Sequence, residues 1–269
     1  MAPSFLFLLL TLASRGDNAA AGIAVRPGSV VRWPGDGIVA CEQGGERYAP
    51  TAGACWIAID LEARGEIAVA RMTSAGRESR RLLVGEYPFP TESLTGVDEK
   101  YVSPGADALA RIERDRRESG RAFARRTRHL DGPPFAPPLA VLPEGGRFGA
   151  RRIFNGETRS PHGGTDYPAA PGTIVVAPAA GVVAISTEHF FAGQSVYLDH
   201  GDGLISMSFH LSERLVKAGD QVERGQPLGR VGATGRVTGP HLHFAVRWRG
   251  ARVDPAPLYG APDSLPAIR

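Results

Sequence analysis

The chain has 269 residues, 42% of them hydrophobic and 22% charged, with 34 Gly and 22 Pro. This is globular composition at a length that suits one large or two modest domains; it excludes wholesale disorder, and the absence of a Gly or Pro period excludes collagen. A formal net charge of +3, with Lys100 and Lys217 as the only lysines, is too small to mark a nucleic-acid binder.

The apolar run from Phe5 to Leu10, continued by Leu12 and Ala13, has the length of a signal-peptide core and is too short to span a bilayer. Residues 1–21 are therefore expected to export the chain to the periplasm or cell envelope, with the small residues Ala19-Ala20-Ala21-Gly22 as the cleavage region. No Lys or Arg precedes the run, so an uncleaved anchor stays open, and no later stretch reaches membrane-spanning length. In an exported chain, Cys41 and Cys55 predict a disulfide worth roughly 3 kcal/mol by chain entropy, the alternative being two buried free thiols.

Between Ile23 and Pro90, short runs such as Ser29-Val30-Val31-Arg32-Trp33, Gly37-Ile38-Val39-Ala40, Cys55-Trp56-Ile57-Ala58-Ile59 and Glu66-Ile67-Ala68-Val69-Ala70 are mostly bounded by Gly or Pro. They predict a small β-sandwich-like N-terminal domain over residues 22–100. A helical linker is expected over 101–132, its composition opened by Ser103-Pro104. In it Asp107/Arg111 and Glu113/Arg117 stand at helical spacing, the charges of Arg114 to Arg117 read as a solvated face, and Gly120 is expected to weaken the helix into two pieces. The proline-rich stretch from Asp131 to Pro138 marks a boundary. Beyond it, residues 133–259 predict a second β domain with strands around Thr173–Ala177, Gly181–Ile185, Ser195–Asp199, Leu204–Met207 and His241–Val246, before a tail at 260–269. The fold class expected is mainly β.

Six of the seven histidines fall in this second domain. His162-Gly163-Gly164-Thr165-Asp166 is an H-x-x-x-D in which two glycines let the backbone approach closely and turn between potential ligands. His241-Leu242-His243 on a strand puts both imidazoles on one face, because side chains alternate with period two. His162, Asp166 and one of the paired histidines would form a two-His, one-carboxylate set with a fourth position open for water, the composition of a catalytic zinc site. Two alternatives stand beside it: separately satisfied histidines near turns, or a closed structural zinc using both His241 and His243. His129, His189 and His200 read as solvated helix-end or turn residues. Asn155-Gly156 reads as a strong turn that shapes the loop carrying His162, with Asn155 facing substrate as the lesser reading.

A further element, Phe209-His210-Leu211-Ser212, follows the predicted strand Leu204–Met207. At this point residues from about Val141 to Leu258 resemble the lysostaphin/LytM-type zinc endopeptidases of bacterial cell walls. The resemblance is carried by Arg147-Phe148-Gly149-Ala150-Arg151, His162-x-x-x-Asp166, His210-Leu211-Ser212, the turn pair Gly219-Asp220-Gln221-Val222 to Gly225-Gln226-Pro227-Leu228-Gly229, Gly232-x-Thr234-Gly235, and Gly239-Pro240-His241-Leu242-His243-Phe244. One departure is Ser208, where the family commonly has an aromatic residue two positions before the His of H-L-S.

What the resemblance implies is a LytM-type antiparallel catalytic sheet and one zinc per chain, held by His162, Asp166 and His243. His210 and His241 would stand uncoordinated in the cleft as catalytic residues; chemistry suits His241 to the general base and His210 to the oxyanion or the leaving amine, and which of the two does which stays open. The implied activity is that of an exported zinc-dependent endopeptidase hydrolysing peptide cross-links of peptidoglycan, between D-Ala and meso-diaminopimelate in a Gram-negative source. The alternative is a non-hydrolytic wall-binding regulator of the kind that lacks ligands, and the intact ligand set argues against it. The N-terminal domain is expected to position or restrain the enzyme, or to bind glycan or an envelope protein partner.

Overall fold

The alternating runs of the N-terminal region form seven strands: β1 (Ile23–Val25), β2 (Val30–Pro34), β3 (Ile38–Gln43), β4 (Glu46–Tyr48), β5 (Ala54–Ala58), β6 (Gly65–Thr73) and β7 (Gly76–Val84). The computed structural model describes residues 22–128 and 132–269, so the expected leader and His129 lie outside the described residues. Five strands make a sheet in the order β1-β7-β6-β3-β4, while β2 and β5 pair with each other as a two-stranded ribbon. Disulfide-bonded Cys41 on β3 and Cys55 on β5, with Cα atoms 5.6 Å apart, tie sheet to ribbon. Strand β7 is concealed in the sequence by its charges. Of its residues only Leu82 is fully buried, and the Arg80 guanidinium lies over the buried Trp33 ring at 5.4 Å.

The ribbon has two buried faces, and period two sorts its side chains between them. Val31, Trp33, Cys55 and Ile57 enter the N-terminal core. Val30, Ala54, Trp56 and Ala58 enter the core of the C-terminal sheet instead, where Trp56 stacks on Trp248 with centroids 5.3 Å apart. The end of the chain returns to the same ribbon. Arg32 N donates to Pro266 O at 2.8 Å, Ile268 N donates to Arg32 O at 2.7 Å, and Ile268 is buried in the N-terminal core.

Strand β8 (Thr91–Leu94), a short helix α1 (Glu99–Val102) and helix α2 (Ala106–Phe123) follow. Contrary to the expected break, α2 runs unbroken through Gly120. The cost of about 1 kcal/mol for a mid-helix glycine is met by docking. Ala122 is buried beside Ile185, Tyr197 and Met207, the Asp115 carboxylate accepts from Phe190 N at 2.7 Å, and the Ser119 and Tyr197 hydroxyls lie 3.2 Å apart. Arg117 pairs with Glu113 at 3.8 Å, as the spacing predicts, but Arg111 reaches Glu188 instead of Asp107.

The hairpin β9 (Arg151–Phe154) and β10 (Glu157–Thr158) turns at Asn155-Gly156, both with positive φ, the arrangement that suits the twist of a two-residue hairpin. Asn155 Nδ2 donates to Val97 O at 2.9 Å, and β8 adds to β9 in parallel. The main sheet comprises β11 (Thr165–Pro168), β12 (Ile174–Val176), β13 (Gly181–His189), β14 (Gly193–Asp199), β15 (Leu204–Arg214), β16 (Gln221–Val222), β17 (Pro227–Val231), β18 (His241–Trp248) and β19 (Ala251–Val253). Its main path is β11-β18-β15-β14-β13-β16; β17 joins β12 to β15, and β19 lies against β18.

His189 and His200, expected in solvent, are buried, at 4% and 0% exposure. The turns that carry them are covered by other elements. His189 lies 3.2 Å from Glu118 on α2 and 3.2 Å from the Tyr197 hydroxyl. His200 lies between Ala180 O at 2.7 Å and Ser206 Oγ at 2.8 Å. Both are core groups satisfied by hydrogen bonds.

Asp60 joins the N-terminal region to the main sheet, accepting from Arg252 Nη2 at 2.6 Å, Nε at 3.1 Å and backbone N at 2.9 Å. Burial pushes its carboxyl up, but the hydrogen bonds from Arg252 and Glu62 N outweigh this and hold it below the ordinary value. A carboxyl depressed in the folded state stabilises above its unfolded pKa of about 3.9 and loses that contribution as pH falls through the folded value. Asp60→Asn should therefore lower stability by about 1 kcal/mol at pH 7, and its deficit against the parent should shrink below about pH 4. Urea midpoints measured across that range check it.

Candidate active site

Strand β18 is buried at every second residue over its first half, with Leu242 and Phe244 in the core and His241 and His243 on the opposite, cleft-facing side. Its neighbours fix what stands beside the imidazoles. In register, Asp166 of β11 lies opposite His243, Pro168 opposite His241, and Phe209 of β15 opposite His243 on the other flank. The Phe209 ring stacks on His243 with centroids 5.3 Å apart and planes 4° from parallel. Ser208, where the resemblance leads one to expect an aromatic ring, is buried, and the aromatic surface against His243 comes from Phe209 instead.

His162 is held by its own backbone, which accepts from Gly149 N at 2.7 Å and donates to Ala150 O at 2.9 Å. From there Gly163-Gly164 carries the chain down to β11. Gly164 passes so close to β18 that a Cβ on it would lie 2.6 Å from Phe244 O and 2.7 Å from His243 Nε2. This is the close approach expected of the paired glycines.

The result is a cluster in which His162 Nε2, Asp166 Oδ1 and His243 Nδ1 converge. The separations are 2.9 Å between the two nitrogens, 3.1 Å from His162 to Asp166 and 2.8 Å from His243 to Asp166. His162 Nδ1 donates to Arg147 O at 2.9 Å, which leaves the Nε2 lone pair facing the other two acceptors. Three such atoms could hold a cation between them, and the spacing is close to the edges of about 3.3 Å in a tetrahedron with zinc bonds of about 2.0 Å. The donor set fits a metal ion. Burial pushes the Asp166 carboxyl up, but its contacts with His162 and His243 outweigh this and hold it well below the usual carboxylate range.

His241 and His210 complete the cleft, their rings 4.9 Å apart. Each has its Nδ1 beside a backbone carbonyl, His241 at 2.9 Å from Gly239 O and His210 at 2.9 Å from Thr234 O. With Nδ1–H donating there, Nε2 of each is free for proton transfer. His241 Nε2 lies 3.6 Å from Asp166 Oδ1. Burial, then neighbouring His243 and His241, push the His210 imidazolium well below its ordinary value, so this ring is neutral. His210 is not beyond its strand, as predicted, but inside β15, at an irregularity in pairing and with φ of +62°. Its N–H donates to Ala192 O at 2.9 Å. Sparsely populated backbone of this kind is tolerated where surrounding structure over-determines it.

Three site residues carry no signal in the sequence spacing. Arg152 Nη2 donates to Asp166 Oδ2 at 2.5 Å, orienting the carboxylate from its second oxygen. Glu92 of β8 pairs with both Arg147 and Arg152, so the N-terminal half of the chain helps place the cluster. Arg236 lines the cavity, of about 350 Å³, together with Asp166, His210 and His241.

Over 90% of this chain and 97% of the other, the fold matches the crystal structure of a peptidase M23 from Pseudomonas aeruginosa, with a TM-score of 0.66 and 32% identity. The chain belongs to peptidase family M23. The model of that family matches residues 160–255, the stretch that holds all five histidine and aspartate residues of the cleft. Among curated relatives, the peptidoglycan DD-endopeptidases ShyA and ShyC of Vibrio cholerae are 44% identical over 108 residues and 41% over 120. The matches cover 40% and 44% of this chain but only 25% and 28% of those proteins, so this M23 chain corresponds to about a quarter of their length.

In this family member the glycine before β11 offers a direct test of the cluster. Gly164→Ala should displace His243 and weaken metal binding by about 10- to 100-fold, the scale of a disturbed ligand support, as read by competition with a chromophoric zinc chelator.

Proposed function

We propose that this chain is an exported zinc-dependent endopeptidase that hydrolyses the peptide cross-links of bacterial peptidoglycan. The observation that carries the reading is the convergence of His162 Nε2, Asp166 Oδ1 and His243 Nδ1 in a cleft where two further imidazoles keep Nε2 uncommitted. The names of ShyA and ShyC supply the substrate class. The Cys41–Cys55 disulfide supports an oxidising compartment, which for a wall enzyme is the periplasm or cell envelope. Among the described residues, no helix is long and apolar enough to cross a membrane.

His162, Asp166 and His243 would hold one zinc ion, which when bound would supply Lewis acidity toward the scissile carbonyl and lower the pKa of bound water to about 7. The chain's own groups do the rest. His241 presents a basic Nε2, fixed by the Gly239 carbonyl at Nδ1, and accepts the proton of the attacking water. His210 presents the second Nε2, fixed by Thr234 at Nδ1; that nitrogen carries no proton in the neutral ring, so it serves the oxyanion or the leaving amine once it has taken up a proton released in the reaction. Arg152 and Arg147 O hold the ligands from behind, so that Asp166 and His162 keep their orientation.

Purified chain incubated with cross-linked muropeptides should convert dimers to monomers, and a zinc chelator should abolish the conversion; mass spectrometry of the products names the bond. Dimers left intact by protein shown to carry zinc would overturn the proposal. His241→Ala should keep its zinc while losing most turnover, about 10²- to 10⁴-fold for a general base, whereas His243→Ala should lose both. Equal zinc loss in the two variants would contradict the division of roles.

A further inference from the structure

Arg236 is a half-buried cation without an acid. Among the described residues no carboxylate forms a salt bridge with it. Burial, then the charges of Arg152 and Arg159, bring its pKa down to about 10. Two aromatic rings flank it. The guanidinium carbon lies 4.7 Å from the centroid of Phe154 and 4.5 Å from that of Phe191. Cation–π contacts do not consume the N–H donors of a guanidinium, which stay available for hydrogen bonding.

The backbone fixes this residue in the wall of the cleft. Arg236 N donates to Phe191 O at 2.8 Å, and the preceding Gly235, with φ of +76°, lies where a Cβ would be 2.4 Å from Gly193 N and 2.5 Å from Phe191 O. The same loop supplies the Thr234 carbonyl that fixes His210. Arg236 and Arg152 line both cavities that meet at the metal cluster, one with Asp166, His210 and His241, the other with His162, His210 and His243. Arg152 is committed to Asp166, and Glu144, the other acid lining the first cavity, makes no salt bridge with Arg236. A half-buried guanidinium beside a second arginine, with no salt-bridge partner among the described residues, is a site suited to an anion.

We infer that Arg236 is a specificity-determining residue that binds a carboxylate of the substrate next to the scissile bond. The inference rests on the hydrolytic reading above and narrows its substrate: the cleft takes peptides bearing a free carboxylate on the carbon attached to the scissile amide nitrogen. A cross-link from D-Ala to the D-centre of meso-diaminopimelate has one there. A glycine bridge has none, and amidation of the diaminopimelate removes it.

The test compares an N-acylated D-Ala-D-Ala peptide as free acid and as C-terminal amide. For the zinc-loaded full chain, kcat/KM for the acid should exceed that for the amide by about 10- to 100-fold, the range of a charge-assisted bidentate pair. Arg236→Gln should bring this ratio to near one, and Arg236→Lys, which keeps the charge but not the fork, should fall between. The same pair of peptides is titrated calorimetrically into His241→Ala full chain, with and without Arg236→Gln, so that the preference is also read as Kd without turnover. If the parent cuts neither peptide, the conversion of muropeptide dimers decides the hydrolytic reading while the Kd ratio decides the subsite. A parent ratio of one, or a ratio unchanged in Arg236→Gln, overturns the inference. Equal loss on acid and amide in that variant would mark Arg236 as structural and overturn it as well.

Discussion

The site depends on the register of β18 between β11 and β15. A strand's side chains alternate between faces, so a slip of one residue would exchange His241 and His243 for Leu242 and Phe244. The apolar pair prevents that slip, because both side chains are fully buried in the core of the main sheet. Leu242 and Phe244 thus help to place the cluster of His162, Asp166 and His243 without being part of it. Their burial determines that His243 meets Asp166 on one flank and Phe209 on the other.

Around this strand, the other two members of the cluster are fixed by contacts from upstream of it. His162 is held through the carbonyl of Arg147, Asp166 through the guanidinium of Arg152, and both arginines through Glu92 of β8. Aromatic residues extend the same support. The Tyr87 hydroxyl donates to Gly149 O, and the Phe89 ring packs edge-on against Phe148 with centroids 5.6 Å apart. The segment between the N-terminal sheet and α1 is therefore built into the wall of the cleft, and the precision of the cluster depends on residues more than fifty positions upstream of its first ligand.

The parts of the structure that local periodicity controls were legible in the sequence. H-x-H on an alternating strand and two glycines inside H-x-x-x-D identify a cluster because the backbone alone brings those side chains to one face or one turn. The strands of the main sheet were readable for the same reason. What escaped depends on distant partners. Strand β7 has a charged surface because its outer face meets solvent and acidic neighbours, so no apolar run betrays it. His189 and His200 sit in turns whose sequence is polar, and only the packing of α2 and of the segment around Ala180 buries them. The left-handed backbone of His210 arises from an irregularity against its neighbour strands. Arg152 and Arg236 are two among 31 basic side chains, and nothing in their spacing separates a carboxylate-facing arginine from a solvated one.

The two-faced ribbon bears on how such a chain can be re-engineered. Because Val30, Ala54, Trp56 and Ala58 fill part of the core beneath the main sheet, the front of the molecule is not an interchangeable cassette attached to a self-sufficient catalytic unit. Cutting the chain before the proline-rich stretch would strip the inner surface of Trp248 and its neighbours and leave an open apolar floor. A graft of a different front module would have to reproduce four small and large side chains in alternation on a ribbon of the same twist. Modularity in this chain therefore ends at the sequence motif, whereas the unit of physical exchange is nearly the whole described fold.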